Sequence, residues 1–157
     1  MNWIDFVALG IVAAVVVLQL FRMKLSFAMI LYETILLIGA GFAADKLLPL
    51  LHQSSQIPEP VAYAGSFVIL GGLGLILATL ISRVFEFEPG NSRYLFGFLL
   101  AFLGGLVVAH VVLKEIIIIA GPRRPEFGEA LMRSRFGYQL VHLKFFERLA
   151  PGLVNIP

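Results

Sequence analysis

Two ionisable residues lie in stretches that are otherwise almost wholly apolar: Glu33, between Leu25 and Ala44, and His110, between Tyr94 and Leu113. A carboxylate surrounded by hydrocarbon must take up a proton or find a partner, so it faces protein or water, and such groups mark proton or cation paths. At a helical rise of about 1.5 Å per residue, Glu33 is about 12 Å into its stretch and His110 about 24 Å from the same side, too far apart to pair directly. Glu33 reads either as a proton or ion site or as a hydrogen-bonded structural residue, with Thr34, Gln19 or Tyr32 as partners. His110 reads either as a second proton-carrying group or as a donor to a backbone carbonyl near the opposite interface.

Other chemistry has no residues to work with. Cysteine is absent, which removes thiolate nucleophiles, disulfides and cysteine metal sites. The paired histidines of a metalloprotease, a phosphate-cradling glycine loop, a G-x-S-x-G elbow and a dinucleotide fingerprint are all missing. Ser26, Ser66 and Ser82 have no plausible neighbouring base. The expectation is a protein that is not an enzyme and carries no cofactor or metal.

The elements around these residues are set by composition. Of 157 residues, 59% are hydrophobic and 14% charged, and the mean hydropathy is +0.93, well beyond what a water-soluble domain carries. A membrane span needs about 20 apolar residues. Four stretches qualify: Trp3 to Phe21, Leu25 to Ala44, Val61 to Ser82 and Tyr94 to Leu113. Each is apolar nearly all round and lacks barrel alternation. The predicted fold is all-α: a polytopic membrane protein with four transmembrane helices in residues 1–120 and a basic amphipathic helical tail in residues 121–157.

The leader of the first span carries Asp5 rather than a basic cluster and has no small-residue cleavage site, so the span is expected to be retained. Asp5 also suits the positive end of a helix. Arg22-Met23-Lys24 is short enough to force a tight hairpin between the first two spans. Pro58 and Pro60 mark the second connection, and Glu86 to Asn91 supplies turn residues for the third. Lys114 and Glu115 read as an interfacial boundary. Arg22, Lys24, Arg83 and Arg93 share one side against Lys46 in the opposite short loop, which favours that side as cytoplasmic and the termini as extracytoplasmic. The tail bases Arg123, Arg124, Arg133 and Arg135 pull the other way.

In the tail, Tyr138, Val141, Phe145 and Leu149 form a stripe at helical spacing, flanked by Arg133, Arg135, Lys144 and Arg148. That pattern fits a helix on anionic headgroups or one packed on protein, with Gly137 as the point where it breaks in two. Small residues indicate which spans touch, because close approach of backbones drives association in lipid. Gly97, Ala101, Gly105 and Ala109 recur every four residues, with Gly104 beside them. Gly74, Ala78 and Ser82 repeat the spacing, preceded by Gly71 and Gly72. Gly72 and Gly104 both fall about 15 Å deep, so the third and fourth spans are predicted to cross at midplane, joined by the first through Gly10 and Ala14.

Asn2-Trp3-Ile4-Asp5-Phe6 before an aliphatic span, and Arg93-Tyr94-Leu95-Phe96-Gly97 leading to Ala101 and Gly105, resemble the colicin V production (CvpA) family over Asn2 to Leu113. The chain departs from that pattern in lacking glycines around Arg22 and in having Ala101 for a glycine. The resemblance implies a bacterial inner-membrane protein linked to toxin export and envelope homeostasis, with no established reaction. The expected function is a non-enzymatic membrane scaffold or accessory protein that associates with the bilayer and with itself or other membrane proteins, not with nucleic acid. The alternative is a small channel or transporter subunit using Glu33 and His110.

Overall fold

A computed structural model describes residues 2–23, 26–55, 57–120 and 124–142. The described residues are all-helical, with α1 at Trp3–Met23, α2 at Phe27–Ser55, α3 at Glu59–Val84, α4 at Arg93–Ala120, α5 at Pro125–Arg133 and α6 at Arg135–Val141. A 3₁₀ turn at Gly90–Ser92 precedes α4. Its Gly90 has φ +60°, a left-handed conformation that glycine adopts without a Cβ penalty.

Local chemistry starts these helices where polar residues permit. Asn2 Oδ1 accepts the Trp3 N–H at 2.6 Å while Asp5 Oδ2 reaches back to the Asn2 N–H at 2.9 Å, a reciprocal cap on the first turn of α1. Ser26 Oγ accepts the Met29 N–H at the head of α2. Pro60 occupies the first turn of α3, where its missing N–H costs nothing.

Helices α1 to α4 are each long and apolar enough to cross a membrane. Only 22% of the most apolar window of α3 is buried, and its outer face carries Val68, Ile69, Leu73, Ile76 and Leu80 in the open. In water, a continuous apolar surface of this kind would drive aggregation.

Two close helix pairs organise the bundle. On α1, Ile4, Ala8, Val12 and Val16 form a buried stripe at four-residue intervals. Against it lie Ala101, Leu106, Ala109 and Leu113 of α4, in the same apolar cluster. Gly105 is what lets the backbones approach, since a Cβ there would stand 3.1 Å from the Val12 carbonyl oxygen and 3.2 Å from Val12 Cα. On the other side α3 packs on α2, where a Cβ at Gly74 would stand 3.1 Å from Leu36 Cβ.

This pairing corrects the predicted crossing of the third and fourth spans. The small residues of α4 serve α1 and those of α3 serve α2, so matched depth was a poor guide to partnership. Gly72 would meet nothing within 4 Å if given a Cβ. Gly10 is equally open and Ala14 is exposed, so α1 joins through Val12 instead. Gly71, Gly74, Ala78, Gly97, Ala101, Gly104 and Gly105 are all buried.

The helix ends also differ from expectation. Helix α2 runs through Pro49 to Ser55, well past Ala44, and α4 runs to Ala120, past Leu113. Asp45, Lys114 and Glu115 therefore lie within helices. The tail breaks at Ser134, between α5 and α6, while Gly137 is inside α6.

Candidate functional site

Among the described residues, polar side chains that join helices collect at three places. The first is at the end of the bundle formed by the α1 C-terminus and the α2 N-terminus. Arg22 donates from both terminal nitrogens to the two Glu33 carboxylate oxygens, at 2.9 and 2.6 Å. The planar guanidinium matches a carboxylate in this fork geometry, giving direction as well as charge neutralisation. The Glu33 side chain is 1% exposed and that of Arg22 37%, so the arginine reaches inward from the rim while the acid stays inside. The partner is thus Arg22 rather than Thr34, Gln19 or Tyr32. Thr34 donates instead to the Leu100 carbonyl at 3.4 Å, and the buried Gln19 amide lies on Gly104, within 3.2 Å of where its Cβ would be. A pocket of about 170 Å³ at this end is lined by Phe27, Leu31, Phe87, Pro89, Phe96 and Leu100.

The second place is at the opposite end. His110 is buried on α4. Its Nδ1 lies 2.8 Å from the Leu140 carbonyl oxygen of α6, and its Nε2 lies 3.1 Å from Asp45 Oδ2 of α2 and 3.4 Å from the Tyr63 hydroxyl of α3. The other Asp45 oxygen holds the Lys114 ammonium, which also sits 4.9 Å from the centre of the Tyr63 ring, over its face. Four helices thus converge on one imidazole. The carbonyl contact expected for His110 is present, and the carbonyl belongs to the tail.

Asp45 is the residue that sequence reading missed. Ending the second span at Ala44 leaves Asp45 as loop, whereas the helical continuation puts Asp45 at the depth of His110. Tyr63, four residues past Glu59 at the start of α3, has the same depth and was equally available.

The third place is where the N-terminus meets the tail. Asp5 Oδ1 accepts from the Ser134 hydroxyl at 2.5 Å and from the backbone N–H groups of Phe136 at 2.9 Å and Gly137 at 3.3 Å. Ser134 Oγ itself accepts the Gly137 N–H at 2.9 Å, capping α6. Asn2 donates from its side-chain amide to the Ala130 carbonyl of α5 at 2.7 Å. Trp3 meets Phe127 edge to face with centroids 5.2 Å apart. Gly137 has no room for a side chain, since a Cβ would fall 2.7 Å from Ile4 Cγ2.

The described part of the tail therefore packs on protein. Arg133 and Arg135 are exposed, and Arg133 approaches Glu129 at 3.9 Å. Tyr138 and His142 lie with ring centroids 4.2 Å apart, tilted by 36°. Lys144, Phe145 and Arg148 lie outside the described residues. Glu33 and His110, expected to lie too far apart to pair directly, belong to separate clusters at opposite ends.

In comparisons with known proteins, no family model, curated protein or solved structure matches this chain.

Proposed function

We propose that this protein is a non-enzymatic integral membrane scaffold or accessory protein, whose rigid four-helix bundle displays a docked C-terminal tail on one face of the membrane. The observation that carries the reading is the closure of the intramembrane acids: Glu33 is held by both arms of Arg22, and Asp45 lies between Lys114 and His110. A transported proton or cation needs an acceptor that can exchange partners, whereas a buried carboxylate in a fork-shaped pair loses its counter-charge only at large cost. Fixed internal pairs suit a bundle whose work is to hold shape.

The short-loop bases Arg22, Arg83 and Arg93 support a cytoplasmic side at the α1–α2 and α3–α4 connections, with the termini and tail on the other. The Trp-Ile-Asp opening and the glycines after Arg93 are the ground for a bacterial inner-membrane role similar to that of the CvpA family, in toxin export or envelope homeostasis. Partners are other membrane proteins or further copies of the chain.

The test is purification of the full chain from native membranes in mild detergent, followed by mass determination. A scaffold gives a complex heavier than one chain, reduced in size by deletion of residues 124–157 although that variant still inserts. A species of single-chain mass from native membranes overturns the reading.

A further inference from the structure

The two nitrogens of His110 face two acceptors. Leu140 offers a carbonyl oxygen at 2.8 Å, which only accepts, and Asp45 offers a carboxylate oxygen at 3.1 Å, which when ionised also only accepts. A neutral imidazole has one N–H and serves one of them. We propose that His110 is a proton-binding clasp: its doubly protonated ring joins α2 to α6 and holds the tail on the bundle, and release of that proton loosens the tail.

The surroundings define both states. From α2 comes Asp45, with Lys46 beside it exposed. From α3 comes the Tyr63 hydroxyl at 3.4 Å. On α4 itself, Lys114 occupies the second Asp45 oxygen, and Glu115 follows it with Oε2 buried and without a hydrogen-bond partner among the described residues. On the tail side α6 presents the Leu140 carbonyl, and His142 beyond it is turned to the Tyr138 carbonyl at 3.0 Å. Helix α1 contributes Ile4 and Ala8 to the apolar cluster that contains Leu140, its acid Asp5 being committed to the start of α6.

Two neutral tautomers are available, and each weakens the tail contact. With the proton on Nδ1, the ring keeps Leu140 through an uncharged bond, turns Nε2 to the Tyr63 hydroxyl and leaves Asp45 to Lys114. With the proton on Nε2, Asp45 is kept and a lone pair faces the Leu140 carbonyl. Charged hydrogen bonds are about twice as strong as neutral ones, so the protonated ring holds α6 more tightly in either comparison.

Hydrogen exchange of the full chain in lipid nanodiscs, at about pH 5.5 and about pH 8 and corrected for intrinsic exchange, reads this directly. The amides of α6 are expected to be about fivefold to tenfold better protected at the lower pH, from the difference between charged and neutral hydrogen bonds. In His110→Gln that ratio falls to one. Equal corrected protection at both pH values in the unaltered chain, or a ratio that persists in His110→Gln, overturns the proposal. Should His110→Gln fail to fold, Asp45→Asn decides: with the carboxylate of α2 gone the gain in α6 protection at the lower pH must shrink, and an unchanged ratio refutes the clasp.

Discussion

Asp5 and Ser134, 129 positions apart in the chain, are joined by a 2.5 Å hydrogen bond buried between the first helix and the last described one. The same carboxylate closes the first turn of α1 through Asn2 and the first turn of α6 through Phe136 and Gly137. One acid therefore satisfies N–H groups at the start of two helices, groups that neither helix can satisfy internally.

Replacing Asp5 strands the Phe136 and Asn2 N–H groups, while Gly137 keeps Ser134 Oγ. Asp5→Ala should release α5 and α6, at a cost of about 1–3 kcal/mol for each buried donor left unpaired, whereas Ser134→Ala should cost about 1 kcal/mol, as the loss of one cap. Trp3 is the single tryptophan and touches Phe127 of α5, so its emission reports the event. A red shift is expected in Asp5→Ala, and an unchanged spectrum contradicts the assignment.

Gly137 and Gly128 make a controlled pair on the tail. Gly137→Ala places a methyl 2.7 Å from Ile4 Cγ2 and should destabilise docking by about 1–3 kcal/mol through overpacking. Gly128→Ala meets nothing within 4 Å and should stabilise α5 by up to about 1 kcal/mol from helix propensity alone. Limited proteolysis at the tail should accelerate in the first variant and slow in the second; the same rate in both would remove Gly137 from the interface.

In the four-helix bundle, Gly105→Leu should separate α1 from α4, because its side chain would start 3.1 Å from the Val12 carbonyl oxygen. A loss of thermal stability in detergent is expected, of the order of about 1–3 kcal/mol or more. Gly72→Ala, in open space, should hold or slightly raise the melting temperature, from helix propensity alone. Equal melting of the two variants would contradict the α1–α4 crossing.

For the ion pair, Arg22→Ala should cost about 2 kcal/mol or more by leaving Glu33 buried and uncompensated. Adding Glu33→Gln to it should restore much of that stability, since the uncompensated charge is then gone. Reconstituted vesicles should show no more proton flux than protein-free ones, with or without Glu33→Gln. Flux that Glu33→Gln abolishes would transfer the assignment to a transporter subunit.

How far these features were legible in the sequence depends on the kind of interaction. Four spans follow from hydrophobic length alone, because burial of apolar surface needs no partner to be specified. Pairing of the spans did not follow: Gly105 and Gly74 announce close contacts, but a four-residue stripe carries no label for its partner, and equal depth suggested the wrong one. Arg22 looks like a loop cation in the sequence, where its position is that of its backbone, whereas its long side chain reaches back into the bundle to meet Glu33. Asp45 was lost when the second span was ended at Ala44, although helix continuation through Pro49 is permitted where neighbouring helices support the freed backbone. Ser134 carried a usable signal, since serine two residues before an apolar pair reads as a helix cap, and the weaker helix former Gly137 drew attention instead.

Helices α5 and α6 are part of the bundle, clasped to the N-terminus. Because the chain has no cysteine, Trp3→Cys with Phe127→Cys in native membranes, treated with a short thiol cross-linker, tests this docking without background. An intramolecular link that forms in this pair and disappears on adding Asp5→Ala is the expected result; failure to form a link with Asp5 intact would contradict it.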